Sequence, residues 1–206
     1  SHGFTHNALI VFKDNTYIEL LAVRGRLLGW ALRLSHLVGL LQLIAGTRTD
    51  IYKRLLLWLG ARPGPLDWCI RVKNIERTRL QWTQHGLECL ESKRFQRELP
   101  DGGTADWFLG GCATQSLPFV LQDISAHTIR VPRMESAHPN GATGLRCVLV
   151  KAKKSPKLHS RLRSMFKSAP SDDDRTTELF FAGSTTAKVH QKPLPQGSFA
   201  LELDCD

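Results

Sequence analysis

The chain has 206 residues, 42% hydrophobic and 23% charged, an ordinary globular composition with room for one large domain or two small ones. Its five cysteines, an odd number with no C-x-x-C pair, argue against a disulfide framework and for a reducing compartment. The net charge of +9 favours anionic partners. No zinc-finger signature and no strip of Lys and Arg interleaved with aromatics is present, however, so nucleic-acid binding is disfavoured.

Residues 8–12 and 17–21 are short apolar or aromatic runs joined by Lys13-Asp14-Asn15-Thr16, which predicts a β-hairpin. A two-residue turn at Asp14-Asn15 pairs Phe12 with Tyr17, Ile10 with Glu19 and Ala8 with Leu21. His6, Phe12, Tyr17 and Glu19 then share one face. A lone carboxylate is costly to bury there, so Glu19 has to reach water in a cleft, pair with a cation or bind a metal. Because Ser1 opens almost directly into a strand, the chain reads as a fragment, any N-terminal targeting signal lost with the missing part. Its hairpin is then the tail of a first module, with an unpaired edge.

Residues 24–65 have another character. "RGRLLGWALRLSHLVGLLQLIAG" is strongly apolar but interrupted by Arg33, Ser35, His36 and Gln42. A central arginine costs about 2.5–3.5 kcal/mol in a membrane span, so a transmembrane helix is disfavoured. One or two helices packed on the sheets or on a partner fit better, as does peripheral membrane contact through 24–60, with Arg24, Arg26 and Arg33 at lipid head groups. A second helix follows Thr49 and ends at "ARPGP".

From Leu66 the order is β-α-β-β-β: "LDWCIRV", then a helix "NIERTRLQWTQH" with Asn74 as N-cap and Gly86 as C-cap, then "LECLES", "DWFLGG" and "LPFVLQDI". A similar order follows from Leu145, with "LRCVLV", a helix "SPKLHSRLRSMF", and "TELFFAG", "TTAKVH" and "SFALELD". The expected organisation is therefore α+β: repeated β-α-β-β-β modules with curved mixed sheets around a cleft. Residues 1–23 are the last strands of a first module, 24–65 a helical insertion, 66–130 a second module and 131–206 a third. Glu19, Gln122 and Glu202 fall at matching places in the last strands.

"FTHNALIVFKDNTYIEL", "LPDGGTADWFL", "LPFVLQDI" and "HPNGATGLRCVLV" together resemble the glyoxalase-like domain of the vicinal-oxygen-chelate superfamily. The resemblance implies paired modules around a cleft and, in many relatives, a divalent metal held by His and Glu from the first and last strands. It implies a lyase, isomerase or dioxygenase type of enzyme acting on a small carbonyl or vicinal-oxygen compound. The alternative is a metal-free small-ligand-binding or protein-interaction module. This chain departs from the pattern in three ways. The first-strand His would precede Ser1, Cys69 stands where some relatives have His, and Gln122 stands where a carboxylate is expected.

Glu19 and His6 are the expected metal ligands and catalytic pair, with His6 and Asn7 otherwise tying down a strand end. Asn7, Arg94, Arg97, His138 and Asn140 are the expected substrate-binding residues, the two arginines as forks for a carboxylate. For His138-Pro139-Asn140 a rigid turn is the competing reading, with Gly141 and Gly144 at unusual backbone angles. The cofactor is one divalent ion (zinc, iron, manganese or nickel) or none. The partner is a small-molecule substrate or ligand, a homodimer is open, and the expected location is cytoplasmic.

Overall fold

The computed structural model describes residues 5–115, 117–133, 138–151, 160, 165–166, 176–180, 186–190 and 199–205. It opens with a hairpin, β1 (Thr5–Val11) and β2 (Tyr17–Val23), followed by three helices, α1 (Arg26–Leu37), α2 (Leu40–Gly46) and α3 (Tyr52–Leu59). Next come β3 (Cys69–Arg71), α4 (Ile75–Gln84), β4 (Cys89–Glu98), β5 (Thr104–Cys112), β6 (Phe119–Asp123) and a single turn of helix, α5 (His127–Arg130). The described chain ends with β7 (Ala142–Lys151), β8 (Thr176–Phe180), β9 (Thr186–His190) and β10 (Phe199–Cys205). The class is α+β, with curved sheets, as expected. Of the helix expected within "SPKLHSRLRSMF", only residues 160, 165 and 166 lie among those described, and all three are helical.

Helix α4 forms for local reasons. Asn74 Oδ1 accepts from Arg77 N–H at 2.8 Å, Glu76 lies in the first turn, and Gly86 takes the left-handed conformation beyond the last turn. Its apolar face presses Ile75 and Trp82 against Trp68, Leu117 and Val120 to build the main core, joined by Met165 and Phe166. The sheet beneath has the order β3-β6-β5-β4, with β3 and β6 parallel. The second sheet has the order β10-β7-β9-β8, so β7 takes β9 as its parallel neighbour and leaves its other edge to β10. The two sheets are therefore not copies of one another in strand order.

Helix α3 is fastened to the first sheet by a buried ion pair. Arg54, 0% exposed, gives Nε and Nη2 to the two oxygens of Asp67. It also gives Nη1 to Cys112 O at 3.0 Å and Nη2 to Leu117 O at 2.8 Å. Trp58 Nε1 donates to Asp67 Oδ2 at 3.0 Å, and the Trp58 ring lies 5.2 Å from that of Phe119. Burial pushes the Asp67 carboxyl up to about 6, and the Arg54 charge and hydrogen bonds keep it from rising further. Every charge taken from water here has a partner, which is the condition for burying one.

The hairpin differs from its expected register by one residue. Val11 pairs with Tyr17 and Leu9 with Glu19, where Phe12 with Tyr17 and Ile10 with Glu19 were expected. The cause is the turn. Asp14 Oδ1 accepts from Thr16 N–H and Thr16 O–H at 2.8 and 2.6 Å, Asn15 adopts φ 65, and Phe12 N–H bonds Thr16 O at 2.9 Å. Phe12 thereby leaves the ladder and is buried. A one-residue slip exchanges faces. Asn7, Leu9, Val11, Tyr17, Glu19 and Leu21 now share one face, and His6, Ala8 and Ile10 lie on the other.

Candidate functional site

Tyr17 of β2 meets α5 through Arg130. Arg130, 7% exposed, donates Nε to Asp123 Oδ1 at 2.6 Å and Nη1 to the Tyr17 hydroxyl at 2.9 Å. Its guanidinium lies 5.5 Å from the Tyr17 ring centroid. Asp123 Oδ2 is 2.8 Å from His127 Nδ1, so one carboxylate orients both cation and imidazole. Asp123, His127 and Arg130 stand at i, i+4 and i+7, and the single turn of α5 brings all three together.

The electrostatics follow from burial and this pairing. Burial raises Tyr17 to about 12, with Cys69 adding to the shift and Arg130 opposing it, so the phenol stays protonated at neutral pH. Its oxygen accepts from Arg130 while its own O–H remains a donor for a ligand. Burial also pushes the Cys69 thiol well above its usual range. For Asp123, burial alone would raise the carboxyl, but the Arg130 hydrogen bond and charge together with His127 hold it below the ordinary range. Burial lowers His127, with Asp123 opposing.

Glu19 stands two residues beyond Tyr17 on the same face, about 7 Å along the strand by ordinary strand geometry. It is exposed, and Asn7 Nδ2 donates to its Oε1 at 2.9 Å. Asn7 and Glu19 are thus together, whereas His6 is on the opposite face, which corrects the expected pairing of His6 with Glu19.

The remaining expected residues are placed as follows. Arg94 closes its fork on Asp106, with Nε at 2.9 Å from Oδ1, so that fork already holds a carboxylate of the same chain. Arg97 Nη2 donates to Arg130 O at 3.2 Å and so props the site from behind. His138 Nε2 donates to Val11 O at 2.9 Å and lies 5.1 Å from the Phe12 ring. Asn140 Oδ1 accepts from Ala142 N–H at 3.2 Å within its own turn. The 138–141 segment is a tight turn, with Gly141 at φ 73. Gly144 instead serves close approach, since a Cβ there would collide with the Asp14 carboxylate. Together with Asp14 N–H to Thr143 O at 3.2 Å, these contacts dock the hairpin on β7. Gln122 Oε1 accepts from Ile75 N–H at 2.7 Å, which explains an amide at that position: it helps to cap α4.

His6 and Glu19, the expected metal pair, are on opposite faces of the hairpin, and among the described residues no three His, Cys, Asp or Glu side chains converge as metal donors. Sequence reasoning missed Tyr17, Asp123, His127 and Arg130 as a group. The helical spacing after "LPFVLQD" was the available signal, in a helix of only four residues.

The family model described as a glyoxalase-like domain matches residues 1–166. A crystal structure of a hypothetical protein from Staphylococcus aureus is similar in fold, with a TM-score of 0.63 at 17% identity, covering 90% of this chain and 72% of that one. No curated protein matches.

Proposed function

Because the chain belongs to the glyoxalase-like domain family of the vicinal-oxygen-chelate superfamily, we propose that the Tyr17–Glu19 face binds a small carbonyl or vicinal-oxygen compound and moves a proton on it. The observation that carries this reading is the pairing of a protonated, Arg130-polarised Tyr17 with a water-accessible carboxylate on the same strand face. Tyr17 O–H donates to the substrate oxygen, and the buried Arg130 cation strengthens that donor. Glu19, steered by Asn7, takes the proton from the carbon beside the carbonyl. The negative charge then develops on the oxygen that Tyr17 faces. The isomerisation is complete when the proton returns to the former carbonyl carbon while the hydroxyl proton of the adjacent carbon passes to that oxygen. No step passes through a metal.

The test is exchange of carbon-bound hydrogen for deuterium in a panel of small α-hydroxycarbonyl compounds, followed by NMR. Glu19→Gln should abolish exchange. Tyr17→Phe, which removes one oxyanion donor, should slow it about 10²-fold. Exchange no faster than in buffer, or unchanged in Glu19→Gln, would sink the reading. Binding of the same compounds without exchange would support the second reading, a ligand-binding module.

A further inference from the structure

We propose that the outer face of α1, continued by α2, is a docking surface for an anionic lipid bilayer. None of the 12 residues of α1 is buried. Leu27 is 85% exposed, Trp30 66% and Leu37 70%, and on α2 Leu43 is 70% exposed. Helical spacing gathers Leu27, Trp30, Leu34 and Leu37 into one arc, with Arg26 and Arg33 along its border. So wide an apolar face on a folded protein marks an interaction surface.

Charge selects the occupant. Residues 20–49 contain four arginines and no Asp or Glu. A second copy docking through this face about a two-fold axis would bring Arg26 and Arg33 toward their equivalents with no carboxylate from the same segment to offset them. An anionic bilayer offers what the face lacks: hydrocarbon for the leucines, an interfacial layer suited to Trp30, and negative head groups for the arginines. No single helix is long and apolar enough to cross a membrane, and α1 and α2 bend by 76° where they meet. With 12 and 7 residues, about 18 and 11 Å long, neither helix reaches across the roughly 30 Å hydrocarbon core, which favours a position along the surface. They rest on α3, which the Arg54–Asp67 pair holds to the sheet, so the face is presented outward on a firm base.

Flotation of the full chain with phosphatidylcholine vesicles, with and without phosphatidylserine, tests this. Binding is expected to the phosphatidylserine vesicles and to fall as salt rises. Arg26→Gln with Arg33→Gln should weaken it about thirtyfold, roughly fivefold for each charge. Leu27→Glu with Leu37→Glu should abolish it while leaving the thermal midpoint in place, because both side chains are exposed. Absence of binding, equal binding to both vesicle types, or variants that bind like the parent would each overturn the proposal. So would a dimer in light scattering that Leu27→Glu with Leu37→Glu dissolves, since a second copy would then cover the face.

Discussion

Helices α1 and α3 are written in similar residues and meet opposite fates. "RLLGWALRLSHL" and "YKRLLLWL" are both leucine-rich, and each carries a Trp and an internal Arg. Arg54 of α3 is buried, whereas Arg33 of α1 is exposed. Apolar content is therefore not what separates them. Arg54 has Asp67 thirteen residues along the chain and the carbonyls of Cys112 and Leu117 in reach, so its charge can leave water. Segment 20–49 has no carboxylate of its own. A helix with an internal arginine is drawn into the fold only where the fold supplies acceptors.

The largest effect should come from breaking the α3 anchor. Asp67→Ala strands a buried guanidinium and should cost about 3–5 kcal/mol in urea unfolding. Replacing both partners, Arg54→Met with Asp67→Leu, should cost clearly less, because no orphaned charge remains. Equal losses in the single and double variants would mean that packing, not the ion pair, decides the fate of α3. Trp58→Phe keeps a ring on Phe119 but removes the donor to Asp67, and should cost about 1 kcal/mol on the same measurement.

A third arginine extends the comparison to pH. Arg130 is buried on Asp123 much as Arg54 is on Asp67, with His127 on the other carboxylate oxygen. The folded pKa values of Asp123 and His127 both lie below their ordinary values, so each contributes stability above its unfolded pKa and loses it as pH falls through its folded one. The contribution of His127 to the thermal midpoint should therefore be lost below about pH 6.5 and that of Asp123 below about pH 4. Each is read as the difference from its own variant, because protonation of the raised Asp67 acts in the opposite sense. His127→Gln should remove the first of these losses and Asp123→Asn the second. A profile identical in all three proteins would detach these groups from stability. The smallest effect belongs to α1: Leu37→Gln should leave stability within about 0.5 kcal/mol, because its side chain is already in water. A larger loss would show that α1 contributes to the core after all.

Much of the local structure was legible before the tertiary contacts were seen. The Asn74 cap, the Gly86 stop and the β-α-β-β-β order after Leu66 all appear where capping and alternation placed them. The hairpin was legible as a hairpin but not in register, because Asp14 and Thr16 close their turn through side-chain bonds that displace Phe12 from the ladder. Arg94 read as a substrate fork because Asp106, which lies diagonally across the ladder opposite Gln96, only becomes its neighbour once β4 and β5 pair.

The chain by itself determined its α+β class, most of its strands and helices, and the presence of an unusual carboxylate in the hairpin. Those properties rest on periodicity and capping, which act within a few residues. Only the tertiary structure decided that Glu19 answers to Asn7 rather than His6, and that Tyr17 takes a hydrogen bond from Arg130, 113 residues away. It likewise decided that one arginine-bearing helix is anchored and the other left outside. Burying a charge depends on finding an opposite charge and spare carbonyls at a distance, and no local pattern encodes where those will be.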